Sequence, residues 1–509
     1  MFEITGEDIQ RLDDAQLRTL VARLAIAELR ARALPIAGVT AGGDQNAADG
    51  GLDVRVEVPE ISFAGDFIPR VPLGIQVKKP DMRPAAIAAE MKPKGVLRPV
   101  IGQLADASGA YVIVSSQGSV ADLRLTERRN AMTEAVRGHP SANKLCLDFY
   151  DRDRLATWVN EYPGVAAWVR ARIGRPLAGW QPLGDWSGTR VGGDGKFISD
   201  DAACLVDARS KDQAVLQVVE GINCIRSTLS QPGQCVRLIG MSGLGKTRLV
   251  QALFENDVGN DALDPSLAIY ADYSETPEPT AKQLALQLVE AGQRAILVVD
   301  NCKPQTHSDL AKVCGSSKSK ISLITVEYDV RDDEPERTEV FRLQAASQST
   351  VAAWLEANFA HVSQVDRVRI AEFSGGNFRV AGVLSETIEK GDSLGDLRDR
   401  ELFRRIFQQR NDHSDDLLQS AEALALVYSF DGEDTSASGE LALLATIAGR
   451  DATKLYASVA ELKRRSVVQT RGRWRAVLPH AIANRLAAQA LERIPPNSWM
   501  RFAQVFRFE

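Results

Sequence analysis

The fold of this chain is decided by one stretch of residues, Gln234-Cys235-Val236-Arg237-Leu238-Ile239-Gly240-Met241-Ser242-Gly243-Leu244-Gly245-Lys246-Thr247. It reads as a short apolar strand that runs into a glycine-rich turn, and residues 240–247 match the pattern G-x-x-x-x-G-K-[ST] without a mismatch. Apolar residues recur at helical spacing directly after the turn, so we expect strand, loop and helix in that order. This order predicts a loop that wraps the phosphate groups of a nucleotide.

The residue types within this P-loop match the chemistry of a phosphate site. Its glycines let backbone N–H groups point inward at phosphate oxygens. Lys246 places a cation on the β- and γ-phosphates, and Thr247 offers a hydroxyl to Mg²⁺. We therefore expect ATP or ADP with Mg²⁺ as the cofactor. The residues predicted to contact it here are Gly240, Ser242, Gly243, Gly245, Lys246, Thr247 and Arg248.

Composition limits the classes of protein that remain. A chain of 509 residues is too long for a single core, so several domains are expected. The net charge of −6 excludes a chain that is basic throughout, so any contact with nucleic acid must rest on local patches. The six cysteines are scattered without a CxxC pair, and no apolar run reaches membrane-spanning length. We expect a cytoplasmic protein with reduced thiols and no membrane partner.

A second nucleotide-associated strand is predicted at residues 295–300. Its continuous apolar run is typical of a buried parallel strand, and it ends in Asp300, the Walker B position expected to hold Mg²⁺. Asn301 follows, and an amide cannot act as a base, so we expect slow hydrolysis. A further strand over residues 320–325 ends at Thr325, which is placed to sense a γ-phosphate.

Four polar residues of the N-terminal region form a candidate catalytic set. A helix over residues 13–33 places Glu28 on its core-facing stripe, where a carboxylate needs a partner. In the next strand Leu52 and the alternating valines share one face and Asp53 lies on the other; Gln76 and Lys78 share the polar face of a second strand. Mg²⁺ prefers oxygen ligands, and a lysine stabilises the attack of water on a phosphodiester.

We predict Glu28, Asp53, Gln76 and Lys78 as the catalytic residues, with Asp53 and Gln76 as the metal ligands. The alternative is an ordinary solvated strand pair. Asp49-Gly50-Gly51-Leu52-Asp53 and Gln76-Val77-Lys78 resemble the restriction-endonuclease-like (PD-(D/E)xK) superfamily in its Mrr-like branch. The resemblance implies an α/β nuclease domain over residues 1–175 that acts on double-stranded DNA. Seven basic residues between 70 and 98 agree, because local positive charge favours a phosphate backbone.

The remainder of the chain supplies a second resemblance. Helical segments follow residue 346, with the loop Gly375-Gly376-Asn377-Phe378 among them, and a helix–helix–helix–strand–strand pattern ends before His480. Together with the P-loop, Asp300 and Thr325, this order resembles the STAND NTPases, including NB-ARC-type proteins. The resemblance implies a P-loop NTPase domain (211–345), a helical domain (346–415) and a winged-helix domain (416–495). It also implies that His480 contacts the β-phosphate of ADP.

The predicted fold class is thus an α/β multidomain protein, with a linker over residues 176–210 and the start of a missing C-terminal region at 496–509. A Mrr-like nuclease joined to a STAND core resembles the prokaryotic antiviral STAND (Avs-type) defence proteins. That resemblance implies a phage protein as trigger, sensed by a C-terminal domain that this chain lacks. It further implies an active homo-oligomer, expected to be a tetramer.

Two other functions stay open at this point. The winged helix could bind DNA, which would make the chain an ATP-switched regulator with an inactive nuclease fold. Alternatively, nucleotide could serve only the assembly of a signalling scaffold. An intact set of Asp53, Gln76 and Lys78 favours the nuclease, since a regulator has no need to keep it.

Overall fold

The computed structural model of this protein describes residues 3–41, 51–58, 65–183, 196–200, 202–208, 214–327, 338–386, 416–464, 467–471, 473–477 and 480–493. The chain divides into two compact units. The first comprises residues 1–189, 228–235 and 262–325, and the second comprises residues 190–227, 236–261 and 326–509. Each unit is built from segments that are distant in the sequence, so the linear order of domains expected from the sequence does not describe how the chain packs.

The strands are, in chain order, β1 (Val39–Ala41), β2 (Val54–Val56), β3 (Leu73–Lys78), β4 (Ala110–Ser115), β5 (Cys146–Tyr150), β6 (Trp180–Pro182), β7 (Cys204–Asp207), β8 (Val215–Gln217), β9 (Cys235–Ile239), β10 (Ala268–Asp272), β11 (Ala295–Asp300), β12 (Ile321–Val326), β13 (Glu339–Leu343), β14 (Phe430–Asp431), β15 (Val468–Arg471) and β16 (Trp474–Val477). The α-helices span Gly6–Gln10, Asp14–Ala31, Pro84–Met91, Pro99–Asp106, Asp122–Val136, Arg152–Asn160, Pro163–Arg172, Val218–Ser230, Lys246–Ala252, Ala281–Glu290, Pro304–Cys314, Gln348–Asn358, Gln364–Ser374, Phe378–Glu386, Asp416–Leu424, Glu440–Ile447, Ala452–Arg464 and His480–Arg493.

A five-stranded sheet, ordered β1-β2-β3-β4-β5, forms the centre of the N-terminal region. β2 pairs antiparallel with β1 and β3, whereas β4 pairs parallel with β3 and β5. The helix Asp14–Ala31 covers one face, and it begins where Asp13 and Gln16 cap each other's backbone N–H groups. The apolar stripe predicted for this helix is buried: Leu17, Leu20, Val21 and Leu24. The helices that build the core on the other face are Pro84–Met91, Pro99–Asp106 and Asp122–Val136.

The core of this region continues into strands β10, β11 and β12 of the same unit. These strands pair in parallel, and β6 pairs antiparallel with β10. The helix Pro163–Arg172 packs against the segment leading into β10. A Cβ atom on Gly164 would lie 2.7 Å from the carbonyl oxygens of Pro265 and Ser266 and 2.9 Å from that of Ala268. Helix and strand backbones therefore approach as closely as a residue without a side chain permits.

In the second unit the strands follow the order β9-β13-β7-β8. β9 and β13 are parallel, and β7 is antiparallel to both of its neighbours. The P-loop helix Lys246–Ala252 is held at its C-terminal end by Arg226, a side chain that is almost fully buried. Its guanidinium donates hydrogen bonds to backbone carbonyls, which replace the lost water and satisfy the end of the helix. The acceptors are Ala252, Leu253, Glu255, Val258 and Asn260.

One apolar core joins the helices of residues 348–386 to residues 416–486. The strands there form a small antiparallel sheet in the order β14-β16-β15, followed by the helix His480–Arg493. The predicted helical and winged-helix domains thus share one core rather than having one each. Residues 387–415 and 494–509, which include the expected C-terminal extension, lie outside the described residues.

The prediction of a mixed α/β multidomain chain with a parallel sheet is confirmed. The linker predicted over residues 176–210 is wrong in part, because β6 and β7 fall within it and pair with β10 and β13. Strands of three and four residues are too short to show a periodicity in the sequence. The glycine-rich residues 184–195 lie outside the described residues. Among the residues that the structure describes, no helix has the length and apolarity needed to cross a membrane.

The close approach at Gly164 gives a test of the shared core. The variant Gly164→Ala adds a methyl group against three carbonyl oxygens, so it should destabilise the first unit by about 1–3 kcal/mol. Thermal unfolding followed by circular dichroism measures the shift. Gly138→Ala is the matched control, since a Cβ there meets nothing within 4 Å. Equal unfolding temperatures for the two variants would show that the helix and the strands do not form one core.

Candidate functional site

The Asp53 carboxylate lies where the pairing of β2 and β3 ends. Val54 pairs with Ile75, and the backbone N–H of Asp53 donates to the carbonyl of Ile75 at 2.9 Å. Asp53 Oδ2 accepts the N–H of Val77 at 2.7 Å and the amide Nε2–H of Gln76 at 2.7 Å. The register of two strands therefore brings Asp53 and Gln76 together, as their sequence positions predict.

Lys78 follows on the same polar face of β3, but its ammonium is held by a residue that the sequence analysis left without a role. Lys78 Nζ lies 3.0 Å from Oε2 of Glu90, and Arg98 contacts Oε1 of the same carboxylate at 2.8 Å. The second carboxylate of this cluster is thus Glu90. It lies on a helix whose contact with β3 depends on tertiary packing, so no local pattern in the sequence marks it.

Burial dominates the electrostatics of Asp53. Desolvation raises the pKa of this carboxyl above its ordinary value, although the hydrogen bond from Val77 and the charges of Arg18 and Lys78 act in the opposite direction. Arg18 Nη1 lies 3.5 Å from Oδ1. The carboxylate therefore sits between groups that favour its charge and an environment that opposes it.

Glu28 is not brought to this cluster. Its Oε2 accepts the hydroxyl of Tyr162 at 2.9 Å, and its Oε1 pairs with Arg32 at 3.1 Å. Along the same helix Arg18 contacts Asp53, and ten residues separate Arg18 from Glu28, which is an axial rise of about 15 Å. The expectation that Glu28 needs a partner is met by Tyr162 and Arg32, whereas its place in the catalytic set stays a prediction. Helical spacing gives the face of a residue and its rise along the axis, but not which residue of a neighbouring strand that point of the helix lies beside.

The predicted face of Leu52 also needs correction. Val54 and Val56 pack in the core below the helix Asp14–Ala31, whereas Leu52 packs in the core on the opposite face of the sheet. The strand begins only at Val54, so the alternation predicted from Leu52 onward does not extend to that residue. Asp49 and Gly50 lie outside the described residues.

The donors around Asp53 are compatible with a hydrated Mg²⁺ ion. Two buried polar atoms nearby, Gln76 Oε1 and Tyr111 Oη, have no hydrogen-bond partner among the described residues. Such atoms call for an explanation, and water or an ion is one. No three His, Cys, Asp or Glu side chains converge as metal ligands in the described part of the chain. Because Mg²⁺ keeps several waters and needs one or two carboxylates, Asp53 with the Gln76 amide oxygen suffices.

The P-loop in the second unit is closed around Lys246. Lys246 Nζ donates hydrogen bonds to the carbonyls of Gly240 and Met241, each at 2.6 Å. The loop glycines at positions 240, 243 and 245 have φ values of 143°, 81° and 93°, in the region that favours glycine. The helix that follows has only seven residues. The groups of this loop that suit a phosphate are Lys246 and the backbone N–H groups rather than a long helix dipole.

The Gly376-Asn377-Phe378 segment rests on this loop. Asn377 Nδ2 donates to the carbonyl of Ser242 at 2.6 Å, and the Phe378 N–H donates to the carbonyl of Gly243 at 2.9 Å. The ring of Phe378 is stacked edge-on against Trp354, 5.4 Å away. Asn377 thus holds the P-loop backbone through the carbonyl of Ser242.

Two further predicted nucleotide contacts have partners within the protein. Arg248 forms a two-pronged ion pair with Glu255, with both distances 2.8 Å. Thr325 shares a 2.7 Å hydrogen bond with His307, and both side chains are buried. Thr247 is the second residue of the P-loop helix. The side chain of His480 lies outside the described residues, although a helix begins at this position.

Asp300 ends β11 in the first unit, beside an acid that the sequence analysis missed. Asp272 ends β10 directly opposite Asp300 in the parallel pair. Tyr270 donates its hydroxyl to Asp300 Oδ2 at 3.2 Å, and Asn301 Nδ2 donates to Asp272 Oδ1 at 2.7 Å. An apolar run ending in Asp, as in Ile269-Tyr270-Ala271-Asp272, is the signal that could have found it.

Comparison with known proteins gives distant similarities only. No protein-family model matches the chain, and no curated protein matches its sequence. A Walker-type ATPase of Pyrococcus abyssi has 12% identity and a TM-score of 0.27, over 52% of this chain and 94% of its own. A STAND protein with a tetratricopeptide repeat sensor from Pyrococcus horikoshii has 12% identity and a TM-score of 0.25, over 56% of this chain and 46% of its own.

A replication initiator DnaA bound to AMPPCP and single-stranded DNA has 14% identity and a TM-score of 0.26, over 54% of this chain and 92% of its own. These structural neighbours are P-loop and STAND-type ATPases. With such identities and TM-scores, they establish neither family membership nor function. The chemistry of the candidate sites therefore rests on the residues of this chain.

Lys246→Ala should weaken ATP binding by roughly 10- to 100-fold, because a hydrogen bond to a charged group is worth about 1.5–3 kcal/mol. Isothermal titration calorimetry measures the dissociation constant. The matched control is Lys318→Ala, which removes an exposed lysine of the first unit. An unchanged affinity in Lys246→Ala would remove the P-loop from the nucleotide site.

Asp53 gives a pH-dependent prediction. A raised folded-state pKa means that the contribution of Asp53 to stability is fully present below its unfolded pKa and is lost as the pH rises through the folded value. Asp53→Asn, which cannot ionise, should therefore gain in thermal stability relative to the parent as the pH rises. Mg²⁺ without nucleotide should stabilise the parent and leave the variant unchanged. If the unfolding temperature of Asp53→Asn relative to that of the parent falls as the pH rises, the argument that burial raises the pKa of Asp53 is contradicted.

Proposed function

We propose that this chain is an ATP-switched, Mg²⁺-dependent DNA endonuclease of antiviral defence that works in the cytoplasm. The observation that carries the proposal is the register of β2 and β3, which joins Asp53 to Gln76 and to the β3 backbone with Lys78 two residues further. This pairing supports an Mrr-like nuclease domain, because a buried carboxylate, an amide oxygen and a lysine are the groups that metal-assisted phosphodiester hydrolysis uses.

The residues of the site have separate roles in the proposed cleavage step. Asp53 and Gln76 would hold the Mg²⁺, which would polarise the phosphodiester and lower the pKa of a water molecule. Lys78 stabilises the negative charge on the phosphate as the water oxygen bonds to phosphorus and one ester P–O bond breaks, with the alkoxide taking up a proton from water. Double-stranded DNA is the proposed substrate, since Lys78 and Arg98 lie in the basic region of residues 70–98.

The nucleotide part of the proposal rests on Lys246 within a complete P-loop sequence. ATP or ADP with Mg²⁺ is the proposed cofactor, and Thr247 is proposed to offer its hydroxyl to the Mg²⁺. Asn301 offers no base, so hydrolysis is slow and the nucleotide acts as a switch. The P-loop and the winged-helix pattern with His480 support a STAND-type core by resemblance, in which His480 holds the ADP state.

The biological role rests on the resemblance to antiviral STAND proteins. A phage protein triggers exchange of ADP for ATP through a C-terminal sensor, and the chains assemble into a homo-oligomer, proposed to be a tetramer. Assembly brings nuclease sites together, and two sites suit the cutting of both DNA strands.

Asp53→Asn and Lys78→Ala should each reduce DNA cleavage by at least about 100-fold, because catalytic groups of one centre act as a unit. Plasmid degradation with Mg²⁺ and ATP, under conditions that cause assembly, measures cleavage. ATP-dependent assembly, followed by light scattering, should stay at the parental level in both variants. Lys144→Ala, the loss of an exposed lysine elsewhere in the same region, is the control and should cleave normally.

Parental cleavage by both site variants would contradict the nuclease and favour the DNA-binding regulator. Asn is preferable to Ala at position 53, because its side-chain oxygen can still accept the buried N–H of Val77.

A further inference from the structure

Glu90 connects two cations of the candidate nuclease site. Its carboxylate contacts Lys78 Nζ at 3.0 Å and Arg98 Nη2 at 2.8 Å, one through each oxygen. Its backbone carbonyl also accepts the Nε–H of Arg98 at 2.8 Å. Arg98 is thus fixed at two points, and the ammonium of Lys78 is fixed relative to it.

The chain makes room for this arrangement at Gly51. A Cβ atom on Gly51 would lie 2.6–2.9 Å from three atoms of the Arg98 side chain. The backbone there also has a φ of 90°, which side-chain-bearing residues rarely adopt. Gly51 lies two residues before Asp53, so the segment that delivers the metal-binding carboxylate also receives Arg98.

Exposure shows that these cations remain reachable. The side chains of Lys78 and Arg98 are 29% and 27% exposed, whereas that of Glu90 is 16% exposed. The carboxylate is therefore less exposed than the two cations with which it pairs. Partial burial strengthens the ion pairs relative to those at a fully solvated surface.

The hydroxyl of Tyr111 is influenced by the charges of both Glu90 and Asp53. Burial raises the pKa of its phenol, and the charges of Glu90 and Asp53 raise it further, so the hydroxyl stays protonated as a hydrogen-bond donor. The Tyr111 hydroxyl and the Gln76 amide oxygen are both buried, and neither has a hydrogen-bond partner among the described residues. A donor and an acceptor without partners, close to the same two carboxylates, mark the place where the site takes up water or ligand.

We propose that Glu90 is the positioning residue of the nuclease site. It holds Lys78 and Arg98 in one arrangement that faces the phosphates of double-stranded DNA, and Glu28 has no part in the centre. The inference rests on the proposed nuclease function. Glu90 acts through Lys78 and Arg98, so its loss should affect the cleavage step more than the binding of DNA.

The test compares cleavage and DNA binding in the full-length chain. Glu90→Gln should lower the single-turnover rate constant for a labelled DNA duplex, with enzyme in excess and Mg²⁺ and ATP present, by about 10- to 100-fold through misplacement of Lys78. In EDTA, fluorescence anisotropy should give the same variant a DNA affinity equal to the parent's or about two- to threefold tighter, because a negative charge near the phosphates is gone. Misfolding would lower both quantities, so opposite changes identify a positioning role.

Three more variants complete the comparison. Glu90→Asp keeps the charge and should recover cleavage to within about threefold of the parent. Glu28→Gln should cleave within about twofold of the parent. Glu134→Gln is the matched control, because Glu134 is an exposed acid that pairs only with Arg137 among the described residues. It should change neither cleavage nor DNA affinity.

The inference is overturned if Glu90→Gln cleaves at the parental rate, or if its cleavage and DNA affinity fall together. It is also overturned if Glu28→Gln loses as much cleavage as Glu90→Gln while remaining folded. A parental protein that does not cleave under any condition that causes assembly overturns the proposed function and this inference with it. Parental cleavage with a fully active Glu90→Gln overturns the inference alone.

Discussion

The first unit depends on one apolar core that runs from the N-terminal helix Asp14–Ala31 to strands β10, β11 and β12. Close packing in such a core ties the position of each element to its neighbours. At Gly164 the helix Pro163–Arg172 comes close to the backbone that leads into β10. The five-stranded sheet that precedes and follows Asp53 and the strand that carries Asp300 therefore contribute to one apolar core.

In the second unit, a short helix is anchored directly after a glycine-rich loop. A seven-residue helix has little stability of its own. Arg226 closes its C-terminal end with hydrogen bonds to backbone carbonyls, and Asn377 holds the loop before it through the carbonyl of Ser242. The loop is thus fixed from both ends by side chains distant in sequence, which reduces the ordering that a bound phosphate must bring about.

Patterns among neighbouring residues of the sequence predicted the features that depend only on neighbouring residues. The P-loop follows from one motif, and Asp53, Gln76 and Lys78 follow from alternation along two strands. The partners of Glu28, Tyr162 and Arg32, could not be foreseen, because periodicity gives the face of a helix and not the elements that pack against it. β6 and β7 were missed because strands of three and four residues carry no periodic signal. Glu90 and Arg226 carry no local pattern that marks them, since their contacts arise from the packing of separate elements against each other.

The two carboxylate oxygens of Asp53 have different partners. Oδ2 is occupied by the backbone of β3 and by Gln76, so it completes the sheet. Oδ1 lies 3.5 Å from Nη1 of Arg18. An ion that bound Oδ1 would have to displace this tethered guanidinium, whose effective concentration is set by its place on the same chain. The position of Arg18 would thus help to set the concentration at which such an ion binds.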